Sequence, residues 1–522
     1  MINKSKRNNI LTSLIFLISF YSYSQSLYNW AGLKKGKYDV GFKIVNEQDA
    51  NRKMLGKKRP MNSGVWYPAK LKPSDKALKY QDYIASLAYE DSLGGGSQNN
   101  KSLEKAYINH FKKSAKKKGG DIKIIQNDLE HVTLSHSNAT PEIGDFPIIV
   151  YSPGLGGRTY ENSILFEYLA SNGYVVISMP SNGKGPNMTF DLEGLNSAVE
   201  DIIWTKNYIE NNKSSYTKSN KIGLIGYSWG GLASAITTTV IKPNAFDAFI
   251  SLDGTISYED KMARDNFKGY GGHNLKIPFL YMLAWGDHQN YSFFKEGDSE
   301  RYLLKFQKMG HRNFNSDAII TMDRPSPPDL IEFYQRKGAE LEKSYGIMCQ
   351  FSKAFLDKTL KNDSKFFKIL KKQTKKTNNF SEAIYFSKKT NKFKEKREKF
   401  TKLLKKQNFI EAINYYYDYV INSKEKFTLF NEDELLNIAL KNFNIKDPKS
   451  ARETGILLWI NSRENPKSAR AFFELGNYYV DFTPDNYNLA IRYYKMVLDI
   501  NPNHSEAQKM LDKLNSKLNN DK

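Results

Sequence analysis

The chain has 522 residues, 40% of them hydrophobic, with 33 Tyr and 31 Phe. That length and aromatic content exclude a disordered or fibrous chain and leave room for two or more domains with sizeable cores. The formal net charge of +22 raises an anionic partner, but lysine greatly outnumbers arginine and no nucleic-acid module is legible, so the excess reads as solvated lysine faces and no nucleic acid is expected.

The chain opens with "MINKSKRNNILTSLIFLISFYSYSQS". Lys4, Lys6 and Arg7 precede an apolar stretch from Ile10 to Phe20, and Ser22 and Ser24 supply the small residues of a cleavage site. The stretch is too short to span a hydrocarbon core of about 30 Å. Residues 1–24 are therefore expected to be a cleaved signal peptide, with an uncleaved anchor as the alternative, and the protein to be secreted or periplasmic.

"GKYDVGFKIV" and "MNSGVWYPAKL" read as strands that open a sheet. Residues 75–120 are helix-prone and lysine-rich, interrupted by "LGGGSQNNKS", a surface insertion. From residue 121 the pattern alternates. "DIKIIQ" and "EHVTLSH" predict strands, "FPIIVYSPG" a short apolar strand ending in turn residues, and "ENSILFEYLASNG" a helix. "YVVISMP" predicts a strand, "GLNSAVEDIIWTKNYIENN" a helix, "KIGLIGYS" a strand and "LASAITTTVI" a helix. "AFDAFISLDG" and "IPFLYMLAWGD" are further strands, and "RYLLKFQKMGH" is expected to be the last. Strands alternating with helices predict an α/β domain, a mostly parallel sheet flanked by helices, over residues 25–362. The helix "EKSYGIMCQFSKAFLDKTL" closes it and holds Cys349, the sole cysteine, as a small buried apolar residue; no intramolecular disulfide can form.

Residues 363–406 are dense in lysine and read as a basic connector with helical pieces and a solvated face, an anionic membrane surface being the alternative. Residues 407–522 predict an all-α region. In "ARAFFELGNYYVDFTPDNYNLAIRYYKMVLDINPN", Phe472, Leu475, Gly476 and Tyr479 fall on one helix and Ala490, Tyr494 and Pro502 on the next. This pattern resembles a tetratricopeptide repeat, with "EAINYYYDYV" around Ala412 as a weaker copy. The resemblance implies helix pairs that bind a protein partner.

The chemistry concentrates at Gly226-Tyr227-Ser228-Trp229-Gly230, a G-x-S-x-G pattern between an apolar strand and a helix. A nucleophile elbow needs that context: the turn is so sharp that side chains flanking it would collide unless they were hydrogen. Ser228 is thus the expected nucleophile. The N–H of Trp229 is the expected first oxyanion donor, and the N–H of Leu155 in "YSPGLGGRTYEN" the second. Of the histidines after Ser228, His311 in "KMGHRNFNSD" follows the last predicted strand and is the expected base. Asp253 in "FISLDGT" and Asp287 in "LAWGDHQ" both satisfy the order Ser, Asp, His, and spacing does not decide between them.

Taken together, "YSPGLGG", "FEYLASNGYVV", "GYSWGG", "SLDG" and "HRNF" resemble the platelet-activating-factor acetylhydrolase and dienelactone-hydrolase-like branch of the α/β-hydrolases, over most of residues 37–362. The resemblance implies the α/β-hydrolase fold and an acid after the strand that follows the nucleophile helix, which favours Asp253. It also implies a base in a His-x-Asn-Phe segment, which is His311. Dienelactone hydrolases use cysteine where this chain has Ser228, which argues against that lactone chemistry. The expected function is a serine hydrolase cleaving a small or lipid-like carboxylic ester, with an amidase, a peptidase or a non-catalytic scaffold as alternatives. No metal-ligand cluster or phosphate-loop pattern is present in the sequence, so no cofactor is expected.

Overall fold

The computed structural model describes residues 31–90, 101–117, 121–185, 188–257, 260–286, 291–297, 299–320, 339–374, 380–386, 392–405, 409–422, 432–441, 444, 446–482 and 487–520. The signal-peptide expectation for residues 1–24 and the alternative acid Asp287 lie outside the described residues.

In chain order the strands are β1 (Asp39–Val45), β2 (Gln48–Met54), β3 (Lys57–Pro60), β4 (Ser63–Lys70), β5 (Ala77–Lys79), β6 (Val132–Ser137) and β7 (Thr140–Pro141). There follow β8 (Ile148–Ser152), β9 (Val175–Ser178), β10 (Ile222–Tyr227), β11 (Ala248–Leu252), β12 (Phe279–Leu283), β13 (Arg301–Phe306) and β14 (Phe380–Phe386). Short runs of β-branched and aromatic residues form the central strands, β8 to β13. Every residue of these six is buried, with no in–out alternation. That is the signature of strands covered on both faces by helices.

Among the described residues the main sheet runs β14-β13-β12-β11-β10-β8-β9-β4-β1-β6-β5, with β7 paired to β4; β2 and β3 pair separately. From β9 to β13 the pairings are parallel. Strands β4 and β1 extend the sheet antiparallel on one side and β14 on the other. This is an α/β-hydrolase-like sheet with flanking helices. After β8 the chain moves to β9 on one side and later to β10 on the other, so a crevice opens at the carboxyl ends of β8 and β10, where open α/β sheets bind ligands. Register levels that rim: Gly226 stands opposite both Ser152 of β8 and Ser251 of β11.

Three segments differ from their sequence reading. "DIKIIQ" is the start of a helix, Ile122–Glu130, rather than a strand. Asp121 caps it by accepting from the N–H groups of Lys123 at 2.7 Å and Ile124 at 3.2 Å, and Ile125 and Leu129 fill its buried face at helical spacing. The strand expected to be last, β13, has β14 beyond it. The connector expected over 363–406 holds the helix Lys365–Gln373, then β14, whose Phe380 ring packs on Phe306 and Phe351. Its tail forms the helix Lys392–Lys405. Cys349 is buried in the helix Ala339–Leu360, and burial pushes its thiol well above the usual range, which suits a packing role.

Two compact units divide the chain. One comprises residues up to Asn290 with Ser299–Ser387, and the other Tyr291–Asp298 with Lys388–Lys522. The second is helical. Its helices Glu432–Lys441, Pro448–Glu464, Ala469–Phe482, Asn488–Ile500 and Ser505–Asn520 pack each on the next. Gly476 is needed where two of them touch, because a Cβ there would lie 2.8 Å from the Tyr494 ring. Among the described residues no helix is long and apolar enough to cross a membrane.

Candidate active site

At the end of β10 the chain turns on Ser228, whose φ of 49° and ψ of −118° lie outside the ordinary regions for a side chain with a Cβ, before entering the helix Trp229–Ile236. Such backbone costs on the order of 1–3 kcal/mol and persists only when its surroundings over-determine it. Here they do. The Ser228 N–H donates to Leu252 O at 3.1 Å, and its carbonyl accepts from Gly231 N and Thr255 N, each at 2.9 Å. A Cβ on Gly226 would lie 2.4 Å from Gly230 O, and one on Gly230 would lie 2.2 Å from Ser152 O. Both glycines are therefore steric requirements of the turn. Ser228 is 8% exposed and lines a cavity of 520 Å³.

A loop from the far end of the sheet brings His311 to this serine. His311 Nε2 lies 2.9 Å from Ser228 Oγ, and Nδ1 lies 2.6 Å from Asp253 Oδ2. A carboxylate only accepts, so Nδ1 carries the proton toward Asp253 and Nε2 is left to accept from the serine hydroxyl. Asp253 is fully buried after β11, with its N–H donating to Met282 O at 2.7 Å and its Oδ1 accepting from Ala284 N at 2.7 Å. Both carboxylate oxygens are thus held. His311 stands in the short turn His311–Phe314, where Gly310 N donates to the buried Asn313 side chain at 2.8 Å. Tyr227 fixes the imidazole further: its ring stacks on His311 with centroids 5.3 Å apart, and its hydroxyl donates to His311 O at 3.2 Å. The stack is invisible in the sequence pattern, because a residue beside the nucleophile reads as the variable position of the motif.

Across the cavity lies the loop after β8. Leu155 and Trp229 both line the cavity, with Gly154, Gly156 and Arg158. The Trp229 amide is the first of its helix and has no intrahelical acceptor, so the helix amino end faces the serine with partial positive charge. Sequence reasoning missed Glu161, a buried acid whose Oε1 accepts from Tyr151 OH at 2.9 Å and from Gly154 N at 3.0 Å. It reads in sequence as an ordinary acidic residue ahead of a helix. Phe190, half exposed, packs on Trp229 with ring centroids 4.6 Å apart and forms an apolar wall. Among the described residues no group of three or more His, Cys, Asp or Glu could hold a metal ion.

A comparison with curated proteins gives no match. Among solved structures, the chain is similar to a ferulic acid esterase from Streptomyces cinnamoneus, at 19% identity over 64% of this chain and 93% of that one, with a TM-score of 0.47. Residues 162–276, which include Ser228 and Asp253, match the model of the prolyl oligopeptidase family.

Proposed function

We propose that the first unit is a serine hydrolase that cleaves carboxylic esters through an acyl-enzyme on Ser228. The observation that carries this reading is the unbroken chain from Ser228 Oγ through His311 to Asp253, at 2.9 and 2.6 Å. Ser228 Oγ attacks the acyl carbon and gives its proton to His311 Nε2, while Asp253 stabilises the imidazolium. The N–H groups of Leu155 and Trp229 receive the oxyanion. Collapse expels the alkoxide, which takes the proton from Nε2. Water then gives a proton to the same nitrogen as it attacks the acyl group, and collapse releases the acid and expels Ser228 Oγ, which takes that proton back from Nε2. The apolar wall of Phe190 and the exposed Leu155 side chain favour a small or lipid-like acyl or alcohol group, in keeping with the acetylhydrolase-like motifs.

A peptidase or amidase is the second reading, favoured by the prolyl oligopeptidase match over residues 162–276. The same groups would serve, with His311 protonating a leaving amine. The proposal extends to export through residues 1–24 and to a protein partner for the helices of the second unit. A fluorophosphonate probe tests the core of it. We expect labelling of the wild type and none of Ser228→Ala; no labelling of the folded wild type overturns the enzyme reading in favour of a scaffold. A panel of esters graded by acyl length, run beside peptide anilides, separates the two substrate classes.

A further inference from the structure

The loop after β8 is rich in glycine, with Gly154, Gly156 and Gly157 around Leu155, and Gly156 takes a φ of 67°. Such a loop has the backbone freedom to turn the Gly154–Leu155 peptide over. Gly154 N donates to Glu161 Oε1 at 3.0 Å, and Gly154 O accepts from Gly157 N at 2.9 Å. A second donor reaches that same carbonyl from outside the loop: Ser181 Oγ, at 2.8 Å. Ser181 is 6% exposed and follows β9, on the strand next to β8. Its segment is itself anchored. The buried Arg59 donates to Asn182 O at 2.8 Å and Gly183 O at 2.5 Å, and it pairs through two nitrogens with the fully buried Asp201 at 2.8 and 2.5 Å.

In a trans peptide the C=O and the following N–H point to opposite sides. Fixing the Gly154 carbonyl toward Ser181 and Gly157 therefore fixes the Leu155 N–H in the opposite direction. We infer that Ser181 is a positioning residue: its hydroxyl locks the Gly154–Leu155 peptide so that the Leu155 N–H is presented to the oxyanion formed at Ser228. The inference rests on the serine-hydrolase reading and adds to it a residue from a separate strand that acts only through the backbone. Preorganised donors stabilise developing charge without reorganising at the moment of reaction, so freedom in this peptide is felt in the transition state more than in substrate binding.

The test uses the full-length protein and an ester that the wild type hydrolyses. Ser181→Ala leaves Gly154 O with its bond from Gly157 N, so the fold keeps a partner for that carbonyl. Losing a whole oxyanion donor costs on the order of 10²–10³ in rate, and loosening one is expected to lower kcat about tenfold with KM within about twofold. Inhibition by a trifluoromethyl ketone, a mimic of the tetrahedral intermediate, should weaken by the same factor as kcat/KM. Ser181→Thr, which keeps the hydroxyl, should restore both. Should Ser181→Ala not fold, Ser181→Cys keeps the volume with a weak donor and carries the same expectation. A folded Ser181→Ala or Ser181→Cys with kcat within twofold of wild type overturns the positioning role and leaves the hydrolase reading standing. A wild type that neither reacts with fluorophosphonate nor hydrolyses any ester overturns the hydrolase reading and the inference with it.

Discussion

Ser228 and Asp253 both stand on left-handed backbone, at φ of 49° and 42°, at the carboxyl ends of neighbouring strands. Asn and Asp tolerate that conformation better than other residues with a side chain. Asp253→Asn is therefore a clean probe of the acid. Its amide oxygen can still accept from Ala284 N, while its NH₂ would face His311 and favour the wrong tautomer. Turnover is expected to fall about 10³–10⁴-fold, with little change in thermal midpoint. Steady-state kinetics and a melting curve check this. Unchanged turnover would remove Asp253 from the mechanism.

The helix Ser163–Ser171 shows how an element can be built around one costly group. All nine of its residues are buried, Glu167 among them. Glu167 Oε1 lies 2.6 Å from Tyr83 OH and 3.2 Å from Ser135 Oγ, and Oε2 accepts from Leu134 N at 3.3 Å. Burial outweighs these bonds and raises its carboxyl from 4.5 to about 7. Between those two values the folded chain holds a proton that the unfolded chain has released, so the contribution of this carboxyl to stability is fully present below pH 4.5 and is lost as pH rises to about 7. The shift corresponds to roughly 3 kcal/mol. Glu167→Gln stays neutral and lacks this slope. Urea unfolding of both proteins at pH 5 and pH 8 should show the wild type losing most of that amount relative to the variant; parallel losses would place the ionised carboxylate comfortably in the core.

At the scale of the whole molecule, the sheet extends beyond the boundary read from the sequence. A chain ending at residue 374, just after the helix Lys365–Gln373, lacks β14, which bares the edge of β13 and removes Phe380 and Tyr385 from the rings of Phe306, Phe351 and Tyr302. A chain ending at residue 387 keeps them. The shorter fragment is expected to be less stable by roughly 2 kcal/mol, given the apolar area that two half-buried aromatic side chains cover, and to aggregate more readily. Denaturation and light scattering of the two fragments measure the difference. Equal stability would mean that β14 is dispensable.

Local constraints were written plainly in the chain. A strand, a turn that tolerates only hydrogen at Gly226 and Gly230, and a helix are neighbours in sequence, so the elbow at Ser228 could be read from five residues. The alternation that predicts a parallel sheet is equally local, as is the helical pairing around Gly476. Elsewhere the local signal misled or fell silent. "DIKIIQ" looks extended until Asp121 caps it and Leu129 completes a helical face, and "FSEAIYF" is hidden among lysines until β13 offers it an edge. The competition between Asp253 and Asp287 had no solution in spacing, because which carboxylate meets His311 depends on how β11, β12 and β13 lie side by side. Tyr227, Glu161 and Ser181 act through a ring face, a buried carboxylate and a backbone carbonyl. Sequence determines what each residue is able to donate, accept or exclude; only the packed sheet, which brings residues 154, 181, 228, 253 and 311 to one rim, decides which of those capacities meet, since contact across such separations is set by register and strand order rather than by any pattern along the chain.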